Sequence, residues 1–442
     1  MSQEQLRRLA MRWVFPVILF SLISGQERPY KLLLVIGAVS SVATVLVAAA
    51  IVLLTFPRAR WSLLLVAGTV FLRAARVLMG EAPGLVLAYS FAAGLLFAAA
   101  GMVMAIQRPR QVHRQALFFC LISLPLMLLQ LLGVGDWTQL LRTDIYGSWP
   151  EAETQYPTLF VPEDQLVVTT LQARPAGFLF ANVALSPVLV FAVGLHMARP
   201  GSERFGWREV VLCATIVLAM AKVVFLAFAS MAVWLLIAGG HGKRRRVIRM
   251  GVLSGLLILL YISLFPGVAA TTLSWDNMQL NFLVRYADFL FSTNVPVLAD
   301  LASSVPRRAL VLVDPEEGLQ SGYATIAAQL PFVMAGALVL APFFFVGLRR
   351  LRKRAPEFTD STVIMLLAAA LIPLITSFLG SAIYSFIFGF GLIPLVLLKR
   401  DHHRLFQGTD HLKERRMVAT VRAPRPPQPD VAPPLPAHGP SR

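Results

Sequence analysis

Among the cations that stand apart from the dense basic clusters of this sequence are Arg73, Arg76, Arg174, Lys222, Arg285, Arg307 and Arg308. They sit inside or beside long apolar runs, or in the polar stretches between them. An unpaired charge at the edge of hydrocarbon costs several kcal/mol or draws in water, so such residues are functional hypotheses by default. Arginine's planar fork grips oxygen pairs bidentately, which suits a ligand carrying phosphates at a membrane surface. Arg174 opens QARPAGFLFANVALSP, where Pro175 and Gly177 break the chain just before an apolar helix. That helix would aim its free N–H groups and positive dipole end at the same anion. Asn182 lies about a turn and a half inside it, placed for a substrate contact or for an interhelical hydrogen bond. In VDPEEGLQSGY, Asp314, Glu316 and Glu317 offer a carboxylate that accepts a hydroxyl proton, or else a solvated acidic loop. Arg285 has a second role open to it, a salt bridge with Asp288 one turn away.

The elements that must position these residues are membrane helices. The chain of 442 residues is 57% hydrophobic and 14% charged, with a mean hydropathy of +0.69. Runs of about 20 apolar residues, enough to cross roughly 30 Å of hydrocarbon, recur along most of its length. They are too long and continuous for barrel strands, which alternate with a period of two. The fold class is therefore all-α, a polytopic membrane protein with the lipid bilayer as its first partner. Cys120 and Cys213, the only two cysteines, both fall in apolar segments, which excludes a disulfide framework or a thiolate metal site. The net charge of +17 sits mostly in short loops beside apolar runs, the pattern of topology signals and not of a nucleic-acid groove. The first apolar run, from Trp13, leads into GQERPY, so no cleavable signal peptide is expected.

Basic clusters at 6–12, 57–60, 107–114, 199–209, 241–249, 349–354 and 399–404 should face the cytoplasm, with an even number of crossings between neighbours. Helices are expected near 13–25, 31–56, 61–79, 84–106, 115–133, 177–198, 250–268, 330–348, 362–378 and 381–398. Two large loops, about 134–176 and 269–329, then fall on the outer face. One interval breaks the pattern: VVLCATIVLAMAKVVFLAFASMAVWLLIAGG, residues 210–240, is uninterrupted apart from Lys222. Parity asks it to cross twice, so a helix pair meeting near Lys222 at the outer turn is expected; a single tilted helix with a snorkelling lysine is the alternative. The total is about twelve transmembrane helices with both termini cytoplasmic. Residues 1–404 form the membrane domain and 405–442 a cytoplasmic tail, proline-rich and disordered from about 418.

RPAGFLFAN, with its arginine, glycine and asparagine opening an apolar helix, resembles the pattern of the O-antigen polymerase and ligase superfamily. In that family a basic residue follows one helix later at an outer turn, and Lys222 in AMAKVV occupies the matching place without the family's serine–arginine pair. A large outer loop leading into EEGLQSGYATIAAQLPFVMAGAL, with Tyr323, completes the likeness over roughly 100–400. The resemblance implies a GT-C-like enzyme of the bacterial inner membrane, acting on undecaprenyl-pyrophosphate-linked oligosaccharides with no cofactor and no metal. It implies that Arg174, Lys222 and Arg285 hold the donor pyrophosphate and stabilise its departing charge, with Asp314 or Glu317 as base. Arg73, Arg76, Asn182, Arg307, Arg308 and Tyr323 would line the substrate, and a chain-length regulator and a flippase are the implied protein partners.

Ligases of that family carry a histidine before the tyrosine helix. His113, His196, His241, His402, His403, His411 and His438 all miss the outer face on this topology, which favours a polymerase. A ligase, a transporter or flippase of lipid-linked sugars, and the related peptidoglycan polymerases are the alternatives. Transporters place charge near the bilayer midplane and repeat one half in the other, and no internal repeat is evident here.

Overall fold

The computed structural model describes residues 2–24, 32, 34–57, 59–79, 83–140, 175–179, 182–199, 206–266, 330–372 and 382–396. The chain divides into two units, Met1–Lys399 and Arg400–Arg442, and every described residue belongs to the first. The proposed tail and most of both long loops lie outside the described residues.

All regular structure among the described residues is helical. In chain order the helices are α1 (Gln3–Ser24), α2 (Leu34–Thr55), α3 (Arg60–Met79), α4 (Pro83–Gln107), α5 (Pro109–Leu131) and the short α6 (Trp137–Leu140). They continue with α7 (Asn182–Ala198), α8 (Trp207–Ala219), α9 (Lys222–Ala238), α10 (His241–Leu264), α11 (Leu330–Arg354), α12 (Thr359–Leu371), α13 (Ala382–Gly391) and α14 (Ile393–Val396). Among the described residues four stretches are long and apolar enough to cross a membrane: Arg60–Met79, Ala88–Gln107, Pro109–Leu131 and His241–Leu264. The chain is thus compatible with a membrane-embedded helical protein.

Several helices run into their basic clusters, beyond the bounds expected from hydropathy. α1 starts at Gln3, not near 13, because Ser2 and Gln5 cap each other: the Gln5 N–H donates to Ser2 Oγ at 3.2 Å and the Ser2 N–H to Gln5 Oε1 at 2.8 Å. α5 starts at Pro109, whose missing N–H costs nothing at the first helical position. α10 starts at His241, and α11 continues to Arg354. Arginine and lysine are good helix formers, so a charge cluster ends the membrane-compatible part of a helix without ending the helix.

These clusters collect at one end of the bundle. Gln111 and Gln115 of α5 reach the Arg12 carbonyl of α1, and Lys243 of α10 pairs with Asp360 at the start of α12. Halfway along, Phe15, Phe191, Phe386 and Phe390 from α1, α7 and α13 meet in a buried aromatic cluster, with ring centroids 5.0–6.2 Å apart. α4 and α13 cross so closely that a Cβ on Gly101 would overlap the Phe386 carbonyl, and one on Gly389 the Ala98 carbonyl. Small residues at such a crossing let two backbones touch where no hydrophobic effect drives helices together.

The run from 210 to 240 is broken, as its length suggested. α8 ends at Ala219, Met220 takes the left-handed conformation (φ 46°, ψ 30°), and α9 begins at Lys222. A side chain at positive φ carries a strain of about 1 kcal/mol or more. Burial of Ala219, Met220 and Ala221 fixes this conformation in place. Cys213 Sγ lies 3.6 Å from the Met250 carbonyl, while Arg246 reaches the His196 and Arg199 carbonyls, so α8 and α10 leave the basic end in parallel. α9 therefore brings the chain back to the basic end, where Gly239 and Gly240 lead into α10. The two arms splay as a V and do not lie along each other; α7 packs against both. The 13 residues of α8 rise only about 20 Å, against about 30 Å of hydrocarbon. Along α8 the vertex is thus recessed relative to a full span. Thirty residues are too few for two full spans.

Candidate functional site

Away from the basic end, two chain breaks stand close together. The first is the turn Pro175–Leu179 before α7. Pro175 donates no backbone N–H, and Gly177 sits at φ +64° with its α-carbon so near α5 that a Cβ would stand 2.8 Å from Ser123 Cβ. Gln130 of α5 holds this turn with its whole amide. Its Oε1 accepts the N–H groups of Ala176 and Gly177, both at 2.9 Å, and its Nε2 donates to the Gly177 carbonyl at 3.0 Å. Gln130, Pro175, Ala176 and Gly177 are all buried. A backbone turn at this depth needs such a partner, because hydrocarbon supplies none.

The second break is the V at Met220. α7 and α9 both run from these breaks toward the basic end, and they pack against each other. Their first residues, Asn182 and Lys222, therefore open two neighbouring parallel helices. Gly194 of α7 stands opposite Met231 of α9, which sets the two starts roughly level, within about 5 Å by helical rise. Two positive dipole ends are thus directed at one region.

Arg73 and Arg76 lie at the same end, on the last turns of α3. Both guanidiniums rest over the ring of buried Tyr89 on α4, 5.3 Å and 5.9 Å from its centroid, and Arg73 also donates to Ser41 Oγ of α2 at 3.3 Å. Each cation–π contact contributes about 0.5–1 kcal/mol where exposed. The pair is held in place and stays half-exposed. The other residues singled out, Arg174, Arg285, Arg307, Arg308, Asp314, Glu317 and Tyr323, lie outside the described residues.

The basic end holds a buried polar group drawn from four helices. His113 of α5 and His196 of α7 share a hydrogen bond, Nε2 to Nδ1, at 3.3 Å, and their rings stack. On its other side His196 Nε2 stands 3.5 Å from Glu209 Oε1 of α8. The second Glu209 oxygen accepts the Gly206 N–H at 2.8 Å, closing the first turn of α8. Arg246 of α10 donates to the His196 and Arg199 carbonyls at 3.0 and 2.7 Å, satisfying the C-terminus of α7. All four side chains are buried, and together they join α5, α7, α8 and α10. A signal for them existed. His113 falls on the buried stripe with Ala116, Leu117 and Cys120, and Arg246 on that of Val247, Met250 and Ser254. Hydropathy alone puts both in the loop clusters 107–114 and 241–249.

In comparisons with known proteins, no family model, no curated protein and no solved structure matches this chain.

Proposed function

We propose that the protein is a polysaccharide polymerase, joining undecaprenyl-pyrophosphate-linked oligosaccharide repeat units at the outer face of a bacterial inner membrane. In this reading the fold is GT-C-like with about twelve crossings, and the basic end faces the cytoplasm by the positive-inside rule. The observation that carries the reading is the paired start of α7 and α9, each following a buried break at the end opposite the basic clusters. Arg174, immediately before the clamped turn, and Lys222, the first residue of α9, then join two helix dipoles in holding a donor diphosphate. Arg285 adds a third cation. As the glycosidic bond forms, these preorganised charges stabilise the departing diphosphate, and Asp314 or Glu317 takes the proton of the acceptor hydroxyl. Arg73, Arg76, Asn182, Arg307, Arg308 and Tyr323 line the saccharide and its lipid carrier.

A deletion strain tests this directly. It should accumulate single lipid-linked repeats and lack high polymer; a strain that still makes full-length polymer refutes the reading.

The recess of the V supports a second reading. Discontinuous helices whose breaks lie within the apolar slab are a feature of transporters, so a flippase of lipid-linked sugars fits the same breaks. The deletion strain separates the two, because loss of a flippase leaves the lipid-linked repeats on the cytoplasmic side, where externally added glycosidases do not reach them.

A further inference from the structure

The surface over the buried His113, His196 and Glu209 is strongly cationic. Arg110 and Arg114 project from the first turns of α5, Arg199 follows α7, and Arg208 lies in the first turn of α8. The packing of α5 against α7 and α8 brings these three helix ends together. Arg199 is pushed below the ordinary arginine range, first by partial desolvation and then by the guanidiniums of Arg208, Arg110 and Arg114, so the four charges lie within Coulomb reach.

Two other described basic clusters have acids of their own: Arg7 and Arg8 pair with Glu4, and Lys243 with Asp360. Among the described residues no ion pair involves Arg110, Arg114, Arg199 or Arg208. The acid beside them, Glu209, is buried and committed to His196 and the Gly206 N–H. Its charge is turned inward, which leaves the surface positive.

Below these arginines α5 presents one exposed apolar stripe. Phe118 (61% exposed), Leu121, Ile122 and Leu129 continue the helical face begun by Arg110 and Arg114. Trp207, 56% exposed, carries the Arg208 guanidinium 5.7 Å from its ring centroid. Exposed tryptophan of this kind marks the headgroup level of a bilayer. A cationic head region at that level, with an apolar stripe leading away from it along one helix, matches the shape and charge of a lipid.

We propose that Arg110, Arg114, Arg199 and Arg208 form a binding site for the phosphate headgroup of an anionic phospholipid, with its acyl chains along the exposed face of α5. The site is independent of the proposed enzymatic activity, which lies at the other end of the bundle.

The test uses the full chain purified in a neutral detergent and titrated with phosphatidylglycerol or phosphatidylcholine. Bound lipid is read by native mass spectrometry. Wild type should prefer phosphatidylglycerol by about tenfold or more. R110Q/R114Q/R199Q/R208Q should lose that preference, while R349Q/R350Q/R352Q/R354Q, with the same loss of charge on α11, should keep it. R110Q/R114Q alone, changing two exposed residues, should reduce it severalfold and serves if the fourfold variant does not fold. Equal preference in wild type and R110Q/R114Q overturns the site, as does an equal loss in the α11 variant. Complete displacement of the lipid by millimolar inorganic phosphate would assign the arginines to a free anion and refute the lipid.

Discussion

The two ends of the bundle use buried polar groups in opposite ways. At the basic end, His113 hydrogen-bonds His196, Glu209 stands 3.5 Å from His196, and Arg246 donates to the carbonyls that close α7, joining four helices. At the other end, Gln130 spends its amide on one turn, and that turn holds a helix start open beside a second one. The first arrangement closes a helix end and the second prepares one. A helix C-terminus capped by a buried arginine has its carbonyls satisfied, whereas two adjacent N-termini direct two positive dipole ends at one region. Of the cations set apart from the basic clusters, the described ones, Arg73, Arg76 and Lys222, belong to the second region, although the denser charge lies in the first.

Substitutions separate the two ends by which property fails first. The largest effect should come from Lys222→Ala, which abolishes polymer in a complementation assay while Lys222→Arg retains part of it. A fully active alanine variant would leave the lysine as a snorkelling charge. Gln130→Leu should come next. It strips three hydrogen bonds from a buried turn, each contributing about 0.6–1 kcal/mol in a membrane protein, for a loss of about 2–3 kcal/mol in detergent unfolding. Polymer yield should fall with it, because α7 loses its fixed start; an unchanged midpoint would show that the clamp is dispensable. Arg246→Met should cost about 1–2 kcal/mol, by uncapping two carbonyls, yet leave the activity of the folded fraction near wild type. A large loss of turnover without loss of stability would erase the contrast between the ends. A double-mutant cycle of His196→Ala and Glu209→Gln should give a coupling of about 1 kcal/mol, and a value near zero would sever the contact at 3.5 Å. Tyr89→Leu should cost about 0.5–1 kcal/mol for each of the two arginines it supports, visible as a lower unfolding midpoint at low salt.

Much of the fold was legible because it is local. Apolar runs of sufficient length gave the helices, and the excess length of 210–240 over one span, with too little for two, placed the break beside Lys222, where Met220 turns left-handed. Pro175 and Gly177 announced the turn before α7 for the same reason: their backbone restrictions need no neighbours. The helix ends were less legible. Hydropathy falls where a membrane would end, but α1, α5, α10 and α11 continue through their arginines and lysines. Of the candidate site, the position of Lys222 beside a helix break was readable from the chain, whereas Asn182, expected a turn and a half inside its helix, is the first residue of α7. That α7 and α9 touch was not, since parity fixes direction but never adjacency.

The sequence by itself determined the solvent this chain is built for, the sidedness of its charge, and where two of its helices must break. Each follows from composition or from backbone rules acting over a few residues. Only the tertiary structure decided the partners: Gln130 for a turn 47 residues away, His113 for His196 at 83, and Arg246 for a carbonyl at 50. A buried polar group must find its complement in whichever helix stands opposite, and that choice is made by packing.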